Sequence, residues 1–457
     1  MRGPVNSTHP IPTSTSLTDF QCASGEEQRK ACTGEPKFAD YEGKSYCVLH
    51  YPAKDKLLEF KEAIDRKVEA EDFNFRGVWF PERTVFTQPF TKDVNFATAV
   101  FGDDADFGSL AFNNKADFSE ATFQGTATFS DAAFSDLANF GGAKFLKDAD
   151  FINTTFQKKA DFGYSEFFME ANFDTYFDSD VDFTYVFFRG EAYFRYAIFN
   201  GFVNFRSATF KDYLRFGGEP FSEQAEFDFQ HARIDKPERV AFYSLKLRPH
   251  WFVNVNARKF DFVDVDWNWE VLSIDAEIAA LQNRNVTSAH RLLAITFRNL
   301  AFNAQENEQF EDASRFRYLA SQLWRKNEPH DRLTSFFGWL YWAGSGYGER
   351  IGRALLVLVS VWLLFAIFYT RGTQYTQVGF GTETAQTSSA VGEEEIPPPA
   401  PLPPMKSLIY SLNTMTLQKP EPKPITSTAR ALVLIQTIVG PIQTALLLLA
   451  IRRKFMR

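Results

Sequence analysis

Three cysteines and a histidine share one short window near the start of this chain. Cys22, Cys32, Cys47 and His50 are spaced C-x9-C-x14-C-x2-H. Three thiolates and one imidazole make a complete tetrahedral donor set for zinc, and C-x2-H is a usual knuckle. The chain has 3 cysteines in all, and every one lies in this window. So short a segment hardly folds without a staple. The expectation is a structural zinc site with all four positions filled, which leaves none open for catalysis. Unliganded thiols are the competing reading. Three cysteines cannot cross-link a protein of this size and suggest a reducing compartment.

A second candidate lies between two apolar stretches near the other end. Residues 351–370 and 429–451 are each about twenty residues long, enough to span roughly 30 Å of hydrocarbon. The first has no charge between Arg353 and Arg371, and the second none between Arg430 and Arg452. Gly440-Pro441 predicts a kink in the second. Trp339, Tyr341 and Trp342 precede the first, where an aromatic belt would lie. Arg350 and Arg353 flank the first span, and Arg452, Arg453, Lys454 and Arg457 follow the second. The connecting loop carries no such cluster, so both termini are expected in the cytoplasm.

Between the spans stands Leu408-Ile409-Tyr410-Ser411-Leu412-Asn413-Thr414-Met415-Thr416. Its order resembles the pore helix of two-helix potassium-channel-like modules, with Leu408, Tyr410, Ser411, Thr414 and Thr416 at matching places. The resemblance implies an ion-channel-like module in which Ser411, Thr414 and Thr416 are pore-lining candidates. Two spans cannot enclose a pore, so conduction would need a homo-oligomer such as a tetramer. The segment that follows is Leu417-Gln418-Lys419-Pro420-Glu421-Pro422-Lys423-Pro424. It cannot copy the carbonyl ladder of a potassium filter, so potassium selectivity is not supported. Gly346-Tyr347-Gly348-Glu349 copies the filter tripeptide but precedes the first span, where a turn is expected.

No Walker loop, Gly-x-Ser-x-Gly elbow or His-Glu-x-x-His motif occurs, and the 6 histidines are scattered. A non-enzyme is expected. The net charge of −8 is split. Residues 94–235 hold 23 Asp+Glu against 11 Lys+Arg, whereas residues 332–457 hold 6 against 12. The basic end suits an anionic membrane surface. Residues 1–20 are Ser/Thr/Pro-rich and read as a disordered tail without a signal peptide.

The elements that position these groups are dominated by phenylalanine, at 51 of 457 residues. From Phe96 the spacing alternates five and six: 96, 101, 107, 112, 118, 123, 129, 134, 140, 145, 151, 156, 162, 167. So regular a period means stacked backbone coils. Phe sits at positions three and eight of each eleven-residue unit, with small residues, mostly Ala, two places before. Ala138-Asn139-Phe140 and Ala149-Asp150-Phe151 show the unit. Here the chain resembles the pentapeptide-repeat family, whose unit is Ala-(Asp/Asn)-(Leu/Phe)-x-x. The resemblance implies a mainly β fold, a right-handed quadrilateral β-helix. One residue is inserted in every second unit, which should bulge alternate corners. Coils of about 22 residues would stack Phe96, Phe118, Phe140 and Phe162 as a ladder. Two units, 84–93 and 171–180, are one residue short and are expected at equivalent places. The aspartates beside Phe are expected to form a solvated face. A nucleic-acid mimic is the sharper alternative, and no nucleic-acid partner is expected.

The expected organisation is a Cys/His module at 21–53 and a capping helix at 54–72, with Leu57, Phe60, Ile64 and Val68 on one face. The β-helix follows at 73–267 and a helical connector at 268–345. The two-span domain is 346–457, with a pore helix at 406–417 and a Pro-rich linker at 396–404. Residues 300–320 resemble one tetratricopeptide-type repeat, so a protein partner could dock on the connector or the β-helix. With its Phe-rich repeats ahead of two spans, the C-terminal part resembles a subgroup of bacterial inner-membrane proteins. The expected function is ion conduction or its gating beneath a cytoplasmic scaffold. The alternative is a membrane-anchored protein-binding scaffold with a vestigial pore helix.

Overall fold

The computed structural model describes residues 20–32, 34–218, 225–270, 272–327, 332–375, 380–381, 402–418, 421–424 and 426–455. Most of the expected tail and of the Pro-rich linker lies outside them. The chain forms two compact units, residues 1–286 and 287–457, whose boundary falls inside the stretch expected as a connector.

The first unit is a solenoid. Two-residue strands recur along the repeats and pair only in parallel with the coils before and after. They form four sheets of 8, 9, 5 and 7 strands, so the cross-section has four sides and the rod about eight turns. Phe101, Phe123 and Phe145 are register partners, which sets the coil at 22 residues. The two short units take the same place in their coils. Phe86 and Phe173 belong to one stack, and Phe90 and Phe177 to the next. Coils that include them pair with one residue fewer, as in Thr84 with Ala105 and Ala171 with Ala192.

Ring stacking fills the core. Phe96, Phe118, Phe140 and Phe162 are stacked 4.9 Å apart, the spacing of adjacent strands. Opposite stacks meet edge to face, as Phe118 and Phe129 do at 5.4 Å and 89°. Both arrangements suit the ring quadrupole. The alanines two places before the Phe are also buried, because side chains two apart share a face.

The corners differ in kind. Between Phe118 and Phe123 the chain turns through Glu120 at φ 56°, and Ala121 N–H donates to the Phe118 carbonyl at 3.1 Å. Thr98, Ser109, Asp131, Asn153 and Tyr164 hold the same left-handed place. Each such corner costs a non-glycine residue some backbone strain. Asp117 offsets it by accepting from Ser119 N–H at 3.0 Å, and Asp106, Asn139, Asp150 and Asp161 act alike. The expectation of a merely solvated aspartate face is therefore corrected: these carboxylates form Asx turns at alternate corners. The extra residue lies at the other corners. There Gly125 passes so close to the coil before it that a Cβ would sit 2.4 Å from Asp104 N.

Helix α1, Leu57–Glu69, lies at the N-terminal end of the stack. Its buried residues are Phe60, Ala63 and Lys67, whereas Leu57 is exposed and Ile64 and Val68 are half-buried. The expected stripe is thus rotated. Lys67 reaches inward to donate to the Ala31 carbonyl at 3.2 Å and to Asp72 at 2.6 Å. Those partners supply what a hydrophobic pattern cannot show. At the other end, strands Val240–Tyr243 and Asp261–Val263 add two rungs to one sheet. Helix α2, Ile274–Asn283, packs beside them.

The second unit is helical. Helices α3, Ala289–Glu306, and α4, Phe310–Asn327, form a hairpin. Helix α5 is Arg332–Ser345, α6 Ile351–Tyr375, α7 Pro404–Met415 and α8 Ser427–Phe455. Two segments, Ile351–Arg371 and Ser427–Arg453, are long and apolar enough to cross a membrane, with mean hydropathies of 2.4 and 2.0.

Candidate metal centre and membrane module

The window with the four donors folds around them. Cys22 lies in irregular chain, and Cys32 follows a single 3-10 turn, Gln28–Ala31. An antiparallel hairpin, strands Lys37–Tyr41 and Lys44–Cys47, brings Cys47 back. A turn closed by His50 N–H on the Cys47 carbonyl at 3.2 Å then presents His50. The four donor atoms lie within 4.8 Å of one another. Cys47 Sγ is 3.5 Å from Cys32 Sγ and 3.2 Å from His50 Nδ1, and Cys32 Sγ is 3.3 Å from that nitrogen. Donors on a tetrahedral zinc ion sit about 3.5–3.8 Å apart, given bonds of roughly 2.0–2.3 Å. The shortest separations, 3.2–3.5 Å, lie at or just below that range and no pair exceeds 4.8 Å, so small shifts would bring all four donors onto one ion. All three cysteines are free thiols.

The surroundings agree with this. His50 Nε2 lies 3.1 Å from the Arg76 carbonyl, which holds that nitrogen as the N–H and frees Nδ1 as the donor to a metal. Hydrogen bonds from Cys32 and then Cys47 hold the Cys22 thiol far below its usual range, while the same contacts push the Cys32 thiol up, so by themselves they favour a single thiolate in the cluster. The module also continues the solenoid: Trp79 N–H donates to the Leu49 carbonyl at 2.9 Å. Lys56, fully buried, donates to the Val48 and Leu49 carbonyls at 2.7 and 3.1 Å. The donor cluster and the first coil are thus parts of one packed end.

In the second unit α7 is packed between the two apolar helices. At one end the Leu402 N–H donates to the Tyr369 carbonyl, and Tyr410 packs with Phe365, Tyr369 and Ala429. At the other end Met415 lies against Gly440, where a Cβ would meet Met415 Cα at 3.0 Å. Polar groups fasten the helix between these points. Trp362 indole N–H donates to the Leu408 carbonyl at 2.9 Å, and Ser411 hydroxyl to the Trp362 carbonyl at 2.9 Å. Gln436 Nε2 donates to Ser411 Oγ at 2.6 Å, and Gln436 Oε1 accepts from Tyr369 hydroxyl at 2.7 Å.

The three candidates from the sequence differ in position. Ser411 and Thr414 are buried within the single chain, and Thr416 is exposed. Thr414 hydroxyl donates to the Tyr410 carbonyl at 2.9 Å. Gly346-Tyr347-Gly348 forms the turn between α5 and α6, at φ 58°, 63° and 73°. Glu349 after it accepts from Ser314 and Arg317 of α4 and from Arg453 of α8 at 2.7–3.1 Å. Gln436 was missed, although a polar residue inside an apolar span is itself a signal.

A further cluster left no trace in the sequence. Buried His250 meets Glu277 Oε2 at 2.8 Å through Nδ1 and Glu226 Oε2 at 2.9 Å through Nε2. Trp251 and Arg284 also donate to that Glu226 oxygen. Burial alone would push the imidazole down, but its bonds to Glu226 and Glu277 win and hold it above the usual value. Burial would likewise raise Glu226, yet the bond from His250 brings it down to about 2. The imidazolium's contribution is therefore complete below about pH 6.5 and is lost as pH rises through the folded value. That of Glu226 is complete above about pH 4.5 and is lost toward pH 2. Hydrogen exchange over residues 226–263, taken relative to the intrinsic amide rate at each pH, should be slowest between those limits. His250→Ala should speed it by the equivalent of roughly 3–5 kcal/mol, because Glu277 is left buried without its charge partner. Unchanged exchange would remove the network from the account of this end.

With these geometries in hand, the repeat can be assigned. Residues 108–155 match the family model described as pentapeptide repeats, 9 copies. This stretch is a run of pentapeptide repeats. No curated protein and no solved structure shows significant similarity to the chain. The pentapeptide-repeat geometry continues beyond the matched residues, since the same stacks run from Phe75 back through Phe96 and forward through Phe183 to Phe229.

Proposed function

We propose that this chain is a non-enzymatic membrane protein in which a cytoplasmic pentapeptide-repeat scaffold serves an ion-channel-like two-span module. The observation that carries the reading is the depth of α7. Its 12 residues give a length of about 18 Å, too short to cross a bilayer of roughly 30 Å. It starts level with the end of α8 at Ala429 and stops beside Gly440, near that helix's middle. A helix that enters from one side and ends at mid-depth is a re-entrant helix. Its C-terminal end carries partial negative charge, which favours a cation at that depth. Non-helical backbone at such depth is tolerated where it lines a cavity, and in this chain only an oligomer could supply one. The basic flanks favour a topology with both termini in the cytoplasm of a bacterial cell.

A structural zinc ion on Cys22, Cys32, Cys47 and His50 completes the proposal. It would supply no chemistry beyond holding the N-terminal end of the scaffold closed. The scaffold reading without conduction is favoured by a different observation: the hydroxyls of Ser411 and Thr414 are already engaged within one chain. Planar-bilayer recording of the purified full-length protein separates the two. A stable oligomer is expected to give discrete, cation-favouring current steps. A stable oligomer that conducts nothing would leave the anchored scaffold as the function.

A further inference from the structure

Three arginines near the start of α6 lack acidic partners. Arg317 and Arg453 share Glu349, at 2.9 and 3.1 Å. Among the described residues, no carboxylate forms an ion pair with Arg325, Arg350 or Arg353. These three instead cover aromatic rings. Arg325 and Arg353 stand 4.8 and 5.1 Å from the centre of the Trp342 ring, and Arg350 stands 4.3 Å from that of Tyr318. Trp342 indole and Tyr318 hydroxyl touch at 3.4 Å, so the three guanidiniums gather around one aromatic pair. Like charges so gathered repel unless an anion joins them.

Two buried polar atoms point the same way. Tyr347 is 5% exposed, and its hydroxyl has no hydrogen-bond partner. The Nε of Arg325 is likewise buried without a partner at hydrogen-bond geometry, and this guanidinium lies against the Tyr347 phenol, close enough to share a hydrogen bond with it. Unmade hydrogen bonds of this kind are expensive and mark a missing acceptor.

The apolar side of α5 says where that acceptor comes from. Leu333, Phe336, Phe337 and Leu340 recur at i, i+3, i+4 and i+7, and all are exposed. The opposite side of α5, with Tyr341 and Trp342, packs on protein. An uncovered apolar stripe beside basic side chains suits a helix lying in the membrane interface. Helix α6, which packs against α5, also exposes Leu355 and Leu356.

We infer that α5 lies in the cytoplasmic interface of the bilayer and that Arg325, Arg350 and Arg353 bind the phosphate of an anionic phospholipid beside it. The inference rests on α6 and α8 being membrane spans. The ligand chemistry is a phosphate oxyanion, which guanidiniums meet with paired, charge-assisted hydrogen bonds. Acyl chains would cover the α5 stripe. Because Glu349 ties this turn to α4 and α8, a bound headgroup would brace the base of both spans.

The test titrates the full-length protein in neutral detergent with phosphatidylglycerol, phosphatidylcholine or inorganic phosphate. Native mass spectrometry counts the bound lipid. Phosphatidylglycerol is expected to bind roughly ten- to hundred-fold more tightly than phosphatidylcholine, from about 1 kcal/mol per basic residue. The triple variant R325Q/R350Q/R353Q should lose that preference, and R325K/R350K/R353K should keep most of it. Equal affinity of the unmodified protein for both lipids overturns the inference, so a variant that fails to fold leaves the test standing. Displacement of the lipid by millimolar inorganic phosphate would assign the site to a soluble phosphate and overturn the lipid reading. Alkaline extraction of membranes holding the same protein distinguishes the two failures. Release of the chain would sink the membrane reading together with this one, whereas a retained chain without lipid preference sinks the headgroup site alone.

Discussion

Cys47→Ser should abolish metal binding and open the N-terminal end of the solenoid. Cys47 stands at the centre of the donor set, within 3.5 Å of both Cys32 Sγ and His50 Nδ1. It is fully buried, and its own N–H contacts Cys22 Sγ at 3.4 Å. A serine oxygen cannot replace a thiolate in such a site. Structural zinc contributes on the order of 10 kcal/mol to small modules that fold around it. The damage should reach beyond the window, because Trp79 and Lys56 hang on carbonyls beside the site. Elemental analysis of the unmodified full-length protein should find about one zinc per chain, and less than about half would count against the centre. Hydrogen exchange on the variant should rise over residues 37–70 and leave residues 118–162 protected. A variant that keeps full protection at 37–70 would show that the thiols need no metal.

Phe140→Ala should destabilise the middle of the rod by about 3–5 kcal/mol, the usual effect of removing a buried aromatic ring. The ring is stacked at 4.9 Å on Phe118 and on Phe162, and meets Phe129 and Phe151 edge to face at 5.3 and 5.6 Å. Each lost pair adds to the cavity term. Stability in a repeat rod is a sum of units and neighbour interfaces, so protection should fall in the coils on either side first. Tyr164→Ala is the control. Tyr164 is 66% exposed and stacks only on Tyr185 at 5.0 Å, so its loss should stay within about 0.5 kcal/mol. Denaturant unfolding of the full-length protein in detergent, followed with hydrogen exchange, compares the two. Equal effects would mean that the ladder is not the source of rigidity.

Parts of the fold were legible because they repeat. The spacing of Phe96, Phe101 and Phe107 announced the stacks, and the paired short units announced which coils lose a residue. One motif repeated many times averages out local ambiguity. The zinc candidate was legible for a different reason: few residue types bind metal, and all the cysteines fell in one window. Single events were not legible. Lys67 looks like a solvated helix residue, but the Ala31 carbonyl draws it inward. The aspartates beside Phe look solvated, but the N–H two residues on, just before a left-handed corner, needs their oxygens. Glu226, His250 and Glu277 lie more than twenty residues apart, and no spacing connects them.

The chain by itself determined the repeat period, the aromatic core, the two long apolar stretches and the donor set. Each follows from composition or period, which local sterics and burial translate directly into structure. The tertiary structure alone decided three things. It set how deep α7 reaches, because that depends on Ser411 meeting Gln436 across two helices. It set which arginines keep a carboxylate, because Glu349 can serve only those beside it. It brought Cys22, Cys32, Cys47 and His50 within reach of a single ion, because a hairpin had to fold before four distant side chains could share one centre.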